Sequence, residues 1–327
     1  IGEESNSPFE SRDLTGGDGT RSAMSDYLPN FVFSSIINGN VRRAADGGQS
    51  SASFKSFFDK NIDADNGTAG NPPDGEPDES ALWNAPIVFR EKKVGTEIKS
   101  VFLLGTTSNV WMTQGALKGN AVWFRLVPAP GLTNISALTM SDDGNYVFVG
   151  TSGGAVIRLK VPNLWDEKYQ YTDTVGNVSV GPVYTYPLYS QCKITSMKVY
   201  SSRYVTDLSC NSTTSNLVIT LGNYGNSTSV FKFTSPLDSI PSGEVDITSN
   251  LPKMPVYSCL HVGGSTNKIM IATELGIWGS DNGGTSWTEL NMMDPDPAKW
   301  HPRVATYEII EKPTFQRPGY DDYRGSI

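Results

Sequence analysis

Ser280-Asp281-Asn282-Gly283-Gly284-Thr285-Ser286-Trp287 sets an Asx side chain, two glycines and an aromatic within eight residues. It follows two short apolar runs, Lys268-Ile269-Met270-Ile271-Ala272-Thr273 and Gly276-Ile277-Trp278-Gly279. A short Asx side chain at Asn282 accepts hydrogen bonds from nearby backbone N–H groups. Gly284 supplies a positive φ without steric cost. Trp287 leaves the turn and buries a large apolar surface beside the next strand. These residues predict a tight turn between two strands. A second copy, Ala44-Ala45-Asp46-Gly47-Gly48-Gln49-Ser50-Ser51, keeps the acid and the glycine but has Ala44 for the first Ser and Ser51 for the Trp. It too follows a short strand, Gly39-Asn40-Val41-Arg42-Arg43.

In register, both copies resemble Ser-x-Asp-x-Gly-x-Thr-Trp, the Asp-box (BNR) hairpin of sialidase-type and sortilin-type β-propellers. Asn282 stands for the Asp and Ser286 for the Thr. The resemblance implies structural roles for Asp46, Gly48, Ser280, Asn282, Gly284 and Trp287, on the outside of a propeller and away from its ligand end. Ser280 comes 236 residues after Ala44 (280 − 44). At roughly 45 residues per four-stranded blade this is about five blades. The expected fold is all-β: a propeller of six to eight four-stranded blades over residues 29–327, with residues 1–28 a polar lead-in or part of a preceding blade. The ending Tyr323-Arg324-Gly325-Ser326-Ile327 reads like the start of another strand. The start at Ile1, without an initiator Met or signal pattern, reads as a processed chain, a fragment or part of something longer.

Composition agrees with that class. Among 327 residues, 32 Gly and 20 Pro fit many short strands joined by turns. Only 18% are charged, which suits a β-rich extracellular protein. A net charge of −8 argues against nucleic acid and against docking on anionic lipid. Nothing approaches the ~18 apolar residues of a membrane-spanning helix. The three cysteines are Cys192, Cys210 and Cys259; Cys192 and Cys210 are close enough in sequence to bridge a hairpin, the alternative being buried thiols.

Strand runs alternate with turns along the chain. Ser100–Gly105, Tyr146–Thr151 and Leu217–Gly222 are apolar middle strands with glycine at or near their ends, and Ile194–Val199 reads as the first strand of the blade holding the last of these. Two insertions interrupt the blades. One, about 59–80, is acidic and Pro-rich; oxygens at Asn61, Asp63 and Asp65 suggest a calcium loop, although Asn66 and Pro72 replace the expected glycine and glutamate, and a solvated surface loop is the simpler reading. The other, about 163–190, holds Tyr169, Tyr171, Tyr184, Tyr186 and Tyr189 and reads as a contact surface.

Catalytic patterns are sparse. Sialidases need three arginines, a Tyr–Glu pair and an Arg-Ile-Pro-type motif, and the nearest stretch, Val88-Phe89-Arg90-Glu91-Lys92, lacks Ile-Pro. Asp142 and Asp143 are adjacent but sit in a hairpin turn. His261 and His301 are the only histidines, and His261 reads as a packed core residue. The texture Asn-Val-x-Arg–box followed by Trp83-Asn84-Ala85-Pro86-Ile87 is similar to secreted surface propellers of Bacteroidetes. That resemblance implies an accessory subunit of an outer-membrane or type IX secretion assembly, extracellular or cell-surface, with a protein partner, no catalytic residue and no cofactor beyond the candidate calcium. The competing expectation is a glycan-active hydrolase or a carbohydrate-binding propeller with rim residues such as Trp165 and Trp300. A channel lined by Asp, Glu and Arg favours the enzyme.

Overall fold

Runs such as Val101-Phe102-Leu103-Leu104-Gly105 are apolar on both faces, so such a strand is stable only between two other layers. The computed structural model supplies those layers. It describes residues 19–58, 80–118, 121, 123–127, 132–166, 173–175, 178–180, 188–211, 216–291 and 303–310. Five four-stranded antiparallel sheets stack side by side as a β-propeller. The first orders β1 (Gly19–Met24), β2 (Val32–Ile36), β3 (Val41–Ala44) and β4 (Lys55–Phe58). The second orders β5 (Ile87–Val94), β6 (Glu97–Gly105), β7 (Val110–Thr113) and β8 (Phe124–Arg125). The third takes β9 (Ile135–Met140), β10 (Tyr146–Thr151) and β11 (Ala155–Lys160). A separate hairpin, β12 (Asp173–Val175) and β13 (Val178–Val180), intervenes before its fourth strand, β14 (Lys193–Val199). The fourth orders β15 (Val205–Asn211), β16 (Asn216–Leu221), β17 (Val230–Ser235) and β18 (Ser242–Asp246). The fifth orders β19 (Val256–His261), β20 (Ile269–Thr273), β21 (Gly276–Ser280) and β22 (Thr288–Glu289).

Three details differ from the sequence reading. The described residues hold five four-stranded sheets beside the β12–β13 hairpin, where six to eight blades were expected. Within the stretch read as a lead-in or part of a preceding blade, Gly19–Met24 pairs antiparallel with β2 as the first strand of the same sheet. The run around Ile194–Val199 does not open the fourth sheet; as β14 it pairs with β11 and closes the third. The fourth sheet opens with β15, which is not among the strand runs named from the sequence. Asp207, Ser209 and Asn211 alternate along β15 and disguise it, because polar residues at every second position read as a loop or an exposed edge. This shift also separates Cys192 from Cys210, so of the two readings, hairpin bridge or thiols, the structure has thiols. Cys192 precedes an outer strand and Cys210 lies on an inner one, and all three cysteines carry thiols. Burial pushes the Cys192 thiol up to about 12.

Each pair of consecutive sheets closes over its own apolar cluster. Phe33, Phe102 and Trp123 lie between the first two, and Leu103, Ile135 and Val147 between the second and third. Phe148, Val205 and Leu217 follow, then Val218, Ile271 and Trp287. The glycines that end the middle strands set how closely these layers approach. A Cβ on Gly105 would stand 2.6 Å from Ile135 Cγ2, and one on Gly150 would stand 2.3 Å from Val205 Cγ1. In both cases the neighbour belongs to the inner strand of the next sheet, so hydrogen is the only side chain that fits.

Polar side chains add a second repeat. Arg43 on β3 donates to the carbonyls of Ala116 (3.0 Å) and Lys118 (2.6 Å). Gln114, just after β7, donates to those of Leu164 and Asp166. Arg158 on β11 donates to Pro236 (2.7 Å) and Asp238 (2.6 Å), and Lys232 on β17 donates to Gly283 (2.9 Å). In each case a donor on or just after a third strand satisfies carbonyls in the loop after the third strand of the next sheet. Those carbonyls are removed from water and need a partner.

Candidate functional site

Antiparallel pairing puts the turns between second and third strands at one end of the molecule and those after third strands at the other. The two motif copies lie at the second end. In the copy at Ser280–Trp287, Ser280 Oγ accepts from Gly284 N–H (2.9 Å), and Asn282 Oδ1 accepts from Ser286 N–H (3.0 Å). Gly283 and Gly284 adopt φ of 72° and 91°. Trp287 is 3% exposed, and its indole N–H donates to the Ile247 carbonyl (2.7 Å) of the neighbouring sheet. In the other copy Asp46 accepts from Gly48 N–H (3.1 Å) and Ser53 Oγ (2.6 Å). Without a Trp, its place in the packing passes to Phe54, Phe57 and Phe58, all buried. These residues hold the two turns and their packing.

Other sequence candidates are also structural. Asp143 accepts from Ser141 Oγ and Asn145 N–H within its hairpin turn. Trp165 donates to the Asp142 carbonyl and lies under Lys92 at 4.3 Å, so it packs between sheets. Asn61, Asp63, Asp65, Trp300 and His301 lie outside the described residues, as do the insertion tyrosines except Tyr189, which stacks on Arg125 at 4.1 Å. Among the described residues no three His, Cys, Asp or Glu side chains are placed to share a metal ion.

The inner strands carry a polar ladder. Asp207 Oδ2 accepts from Ser258 Oγ (2.7 Å) and Cys259 N–H (3.0 Å), and its Oδ1 from Leu208 N–H (2.8 Å). Ser209 Oγ lies 2.9 Å from His261 Nδ1, and Asn211 donates to the Gly264 carbonyl. His261 is 5% exposed. Desolvation, with the Lys232 charge as a smaller cause, lowers it to about 4, so it is neutral at pH 7. Burial pushes the Asp207 carboxyl upward against the pull of Arg21. Arg21 on β1 pairs with Glu308 at 2.8 Å and ties segment 303–310 to the first sheet. An Asp and an Arg of the inner strands and a Glu of segment 303–310 therefore do gather here: three hydrogen bonds engage Asp207, one ion pair joins Arg21 to Glu308, and Arg21 Nε is buried with no hydrogen-bond partner among the described residues.

The opposite end differs. Tyr257, at the start of β19, lies with its ring 4.9 Å from that of Tyr307. Its hydroxyl donates to Glu274, in the turn between β20 and β21. Tyr224, in the turn between β16 and β17, lies close enough that Glu274 and Tyr257 both act on its hydroxyl. Its hydroxyl is pushed upward, first by the bond to Glu274. Tyr224 is 67% exposed and Tyr307 68%. Leu275, Val304 and Trp83 are exposed on the same end. Sequence reasoning missed this group because its members come from two turns, the start of β19 and segment 303–310, with no shared motif.

No family model matches the chain, and no curated protein does either. Solved structures do. A GH74 enzyme of Niastella koreensis matches over 83% of this chain at 14% identity and a TM-score of 0.50. Raptor of Chaetomium thermophilum matches over 90% at 12% and 0.49, and YCF48 of Cyanidioschyzon merolae over 91% at 12% and 0.44. The match spans 38% of the GH74 enzyme's length, 21% of Raptor's and 90% of YCF48's. At such identities the likeness concerns the fold alone.

Proposed function

We propose that this chain is a non-catalytic β-propeller that binds a protein partner through the end carrying Tyr224, Tyr257 and Tyr307. The observation that carries the reading is the exposure of Tyr224 and Tyr307 beside Tyr257 on a rigid stack of sheets. Interface hot spots are enriched in tyrosine, which gives large contact area at low entropic cost. The resemblance of the two motif turns to Asp-box hairpins, and of the chain's texture to secreted surface propellers, extends the reading to a cell-surface accessory subunit of an outer-membrane or secretion assembly.

The competing glycan-hydrolase reading draws on Arg21, Asp207 and Glu308. A glycosidase needs one carboxyl to donate a proton and another carboxylate free to act as base or nucleophile. Asp207 accepts three hydrogen bonds from its own and the neighbouring strand, and Glu308 is paired with Arg21. Asp207 ties the fourth sheet to the fifth and Glu308 ties segment 303–310 to the first, which favours the binding reading.

Affinity capture tests it. The full-length tagged protein is recovered from its host in mild detergent, beside a Tyr224→Ala/Tyr307→Ala variant. A stoichiometric outer-membrane or secretion component that the variant loses supports the proposal. Recovery of the protein alone, together with release of reducing ends from a glycan panel, overturns it in favour of the hydrolase.

A further inference from the structure

The tyrosine corner also has a charge. Glu274 carries its carboxylate among the Tyr257 and Tyr224 hydroxyls, and among the described residues no cation pairs with it. Arg303, on the same segment as Tyr307, is engaged by Glu289 at 2.5 and 2.8 Å, and Glu308 is engaged by Arg21. The Tyr257 hydroxyl donates to this carboxylate, which fixes the position of its ring, and Tyr224 stands exposed beside them. The rings of Tyr257 and Tyr307 meet at 45°, forming an open angle instead of a closed stack. Ring faces are electron-rich and attract a cation within about 6 Å, more strongly as it is desolvated. The whole chain is acidic, at −8, so a basic partner approaches it favourably over long range.

From this arrangement we infer that Tyr224, Tyr257, Tyr307 and Glu274 form a receiving corner for a lysine or arginine side chain presented by a protein partner. The inference rests on the binding reading above and adds the chemistry of what is bound. Glu274 supplies the counter-charge, and the exposed rings of Tyr224 and Tyr307 cover the apolar stem of the incoming side chain. An acidic or purely apolar partner segment would leave Glu274 repelled or desolvated without compensation.

The test uses the full chain and a fluorescein-labelled peptide of glycine, serine and four lysines, followed by anisotropy, with the fully acetylated peptide as control. The lysine peptide binds and its acetylated form does not. Tyr307→Ala leaves net charge and melting temperature unchanged and weakens binding about tenfold, the scale of one partly desolvated cation–π contact. Glu274→Gln weakens it as well. If Tyr307→Ala proves unstable, Tyr224→Ala makes the same test, because Tyr224 is equally exposed. Equal binding of the acetylated peptide, no binding of either, or an affinity indifferent to the tyrosine changes overturns the inference. If the captured partner is still bound while the lysine peptide is ignored, the inference falls and the binding reading stands.

Discussion

Arg158, on the third strand of one sheet, donates through Nη1 to the carbonyl oxygen of Pro236 in the next sheet at 2.7 Å. The same nitrogen reaches the Asp238 carbonyl at 2.6 Å, and the guanidinium lies 5.2 Å from the Tyr146 ring. Arginine on a middle strand invites a catalytic interpretation, yet here it joins two layers. Arg158→Met keeps the apolar stem but leaves buried carbonyls without a donor. It should cost about 2 kcal/mol in urea unfolding. An unchanged midpoint would mean that water replaces the guanidinium without loss.

The glycine contacts predict a graded result. Gly150→Ala places a methyl 2.3 Å from Val205 Cγ1 and should destabilise by about 2 kcal/mol. Gly222→Ala, whose nearest neighbour is Thr206 Cγ2 at 3.1 Å, should cost less. Val205→Ala opens the space that Gly150→Ala fills, so the double variant should be more stable than the sum of the two single losses. Strict additivity, read from denaturant midpoints, would contradict the packing account.

Trp287 tests the motif turn. Its ring is buried among Ile247, Leu251 and Met254, and its N–H is satisfied by Ile247. Trp287→Ala should cost about 3–5 kcal/mol. Asn282→Asp, which restores the commoner residue and keeps an acceptor for Ser286 N–H, should be close to neutral. A loss from Asn282→Asp comparable to that from Trp287→Ala would show that the turn needs the amide N–H toward Ser286 Oγ (2.8 Å).

His261 gives a pH signature. The fold keeps it neutral down to about pH 4, whereas the unfolded chain takes up a proton below its ordinary value of 6.5. The unfolded state therefore binds more protons in that window. Stability is full above pH 6.5 and falls as pH drops toward 4, by up to about 3 kcal/mol. Asp207 acts in the opposite sense, because its raised carboxyl protonates earlier in the fold than in the unfolded chain. The quantity to compare is thus the difference in slope between wild type and His261→Gln, which should appear between pH 6.5 and 4 and vanish above.

The parts of this fold that were legible in the sequence are those set by local chemistry. The turn at Asn282–Gly284 and the middle strands ending at Gly105 and near Gly150 announce themselves, because the constraint falls on neighbouring residues. What was not legible depends on which strand lies beside which. β14 and β15 were misassigned because a polar outer strand and a polar inner strand look alike until their partners are known. Arg43, Arg158 and Lys232 share a role that no spacing reveals, since each reaches a different loop length away. The tyrosine corner is the extreme case: Tyr224, Tyr257 and Tyr307 meet only because the ends of the fourth and fifth sheets meet segment 303–310.

The central claim is that the tyrosine end of the propeller is where a partner binds. A photo-reactive phenylalanine analogue placed at Tyr307, and in a separate variant at Ile240, tests it most directly. Ile240 is 81% exposed in the turn between β17 and β18, at the opposite end of the strands. Irradiated in the native host, the Tyr307 variant should form one dominant crosslink to a second protein, lost on adding Glu274→Gln, while the Ile240 variant forms none. A dominant crosslink from position 240 with none from 307 would contradict the account.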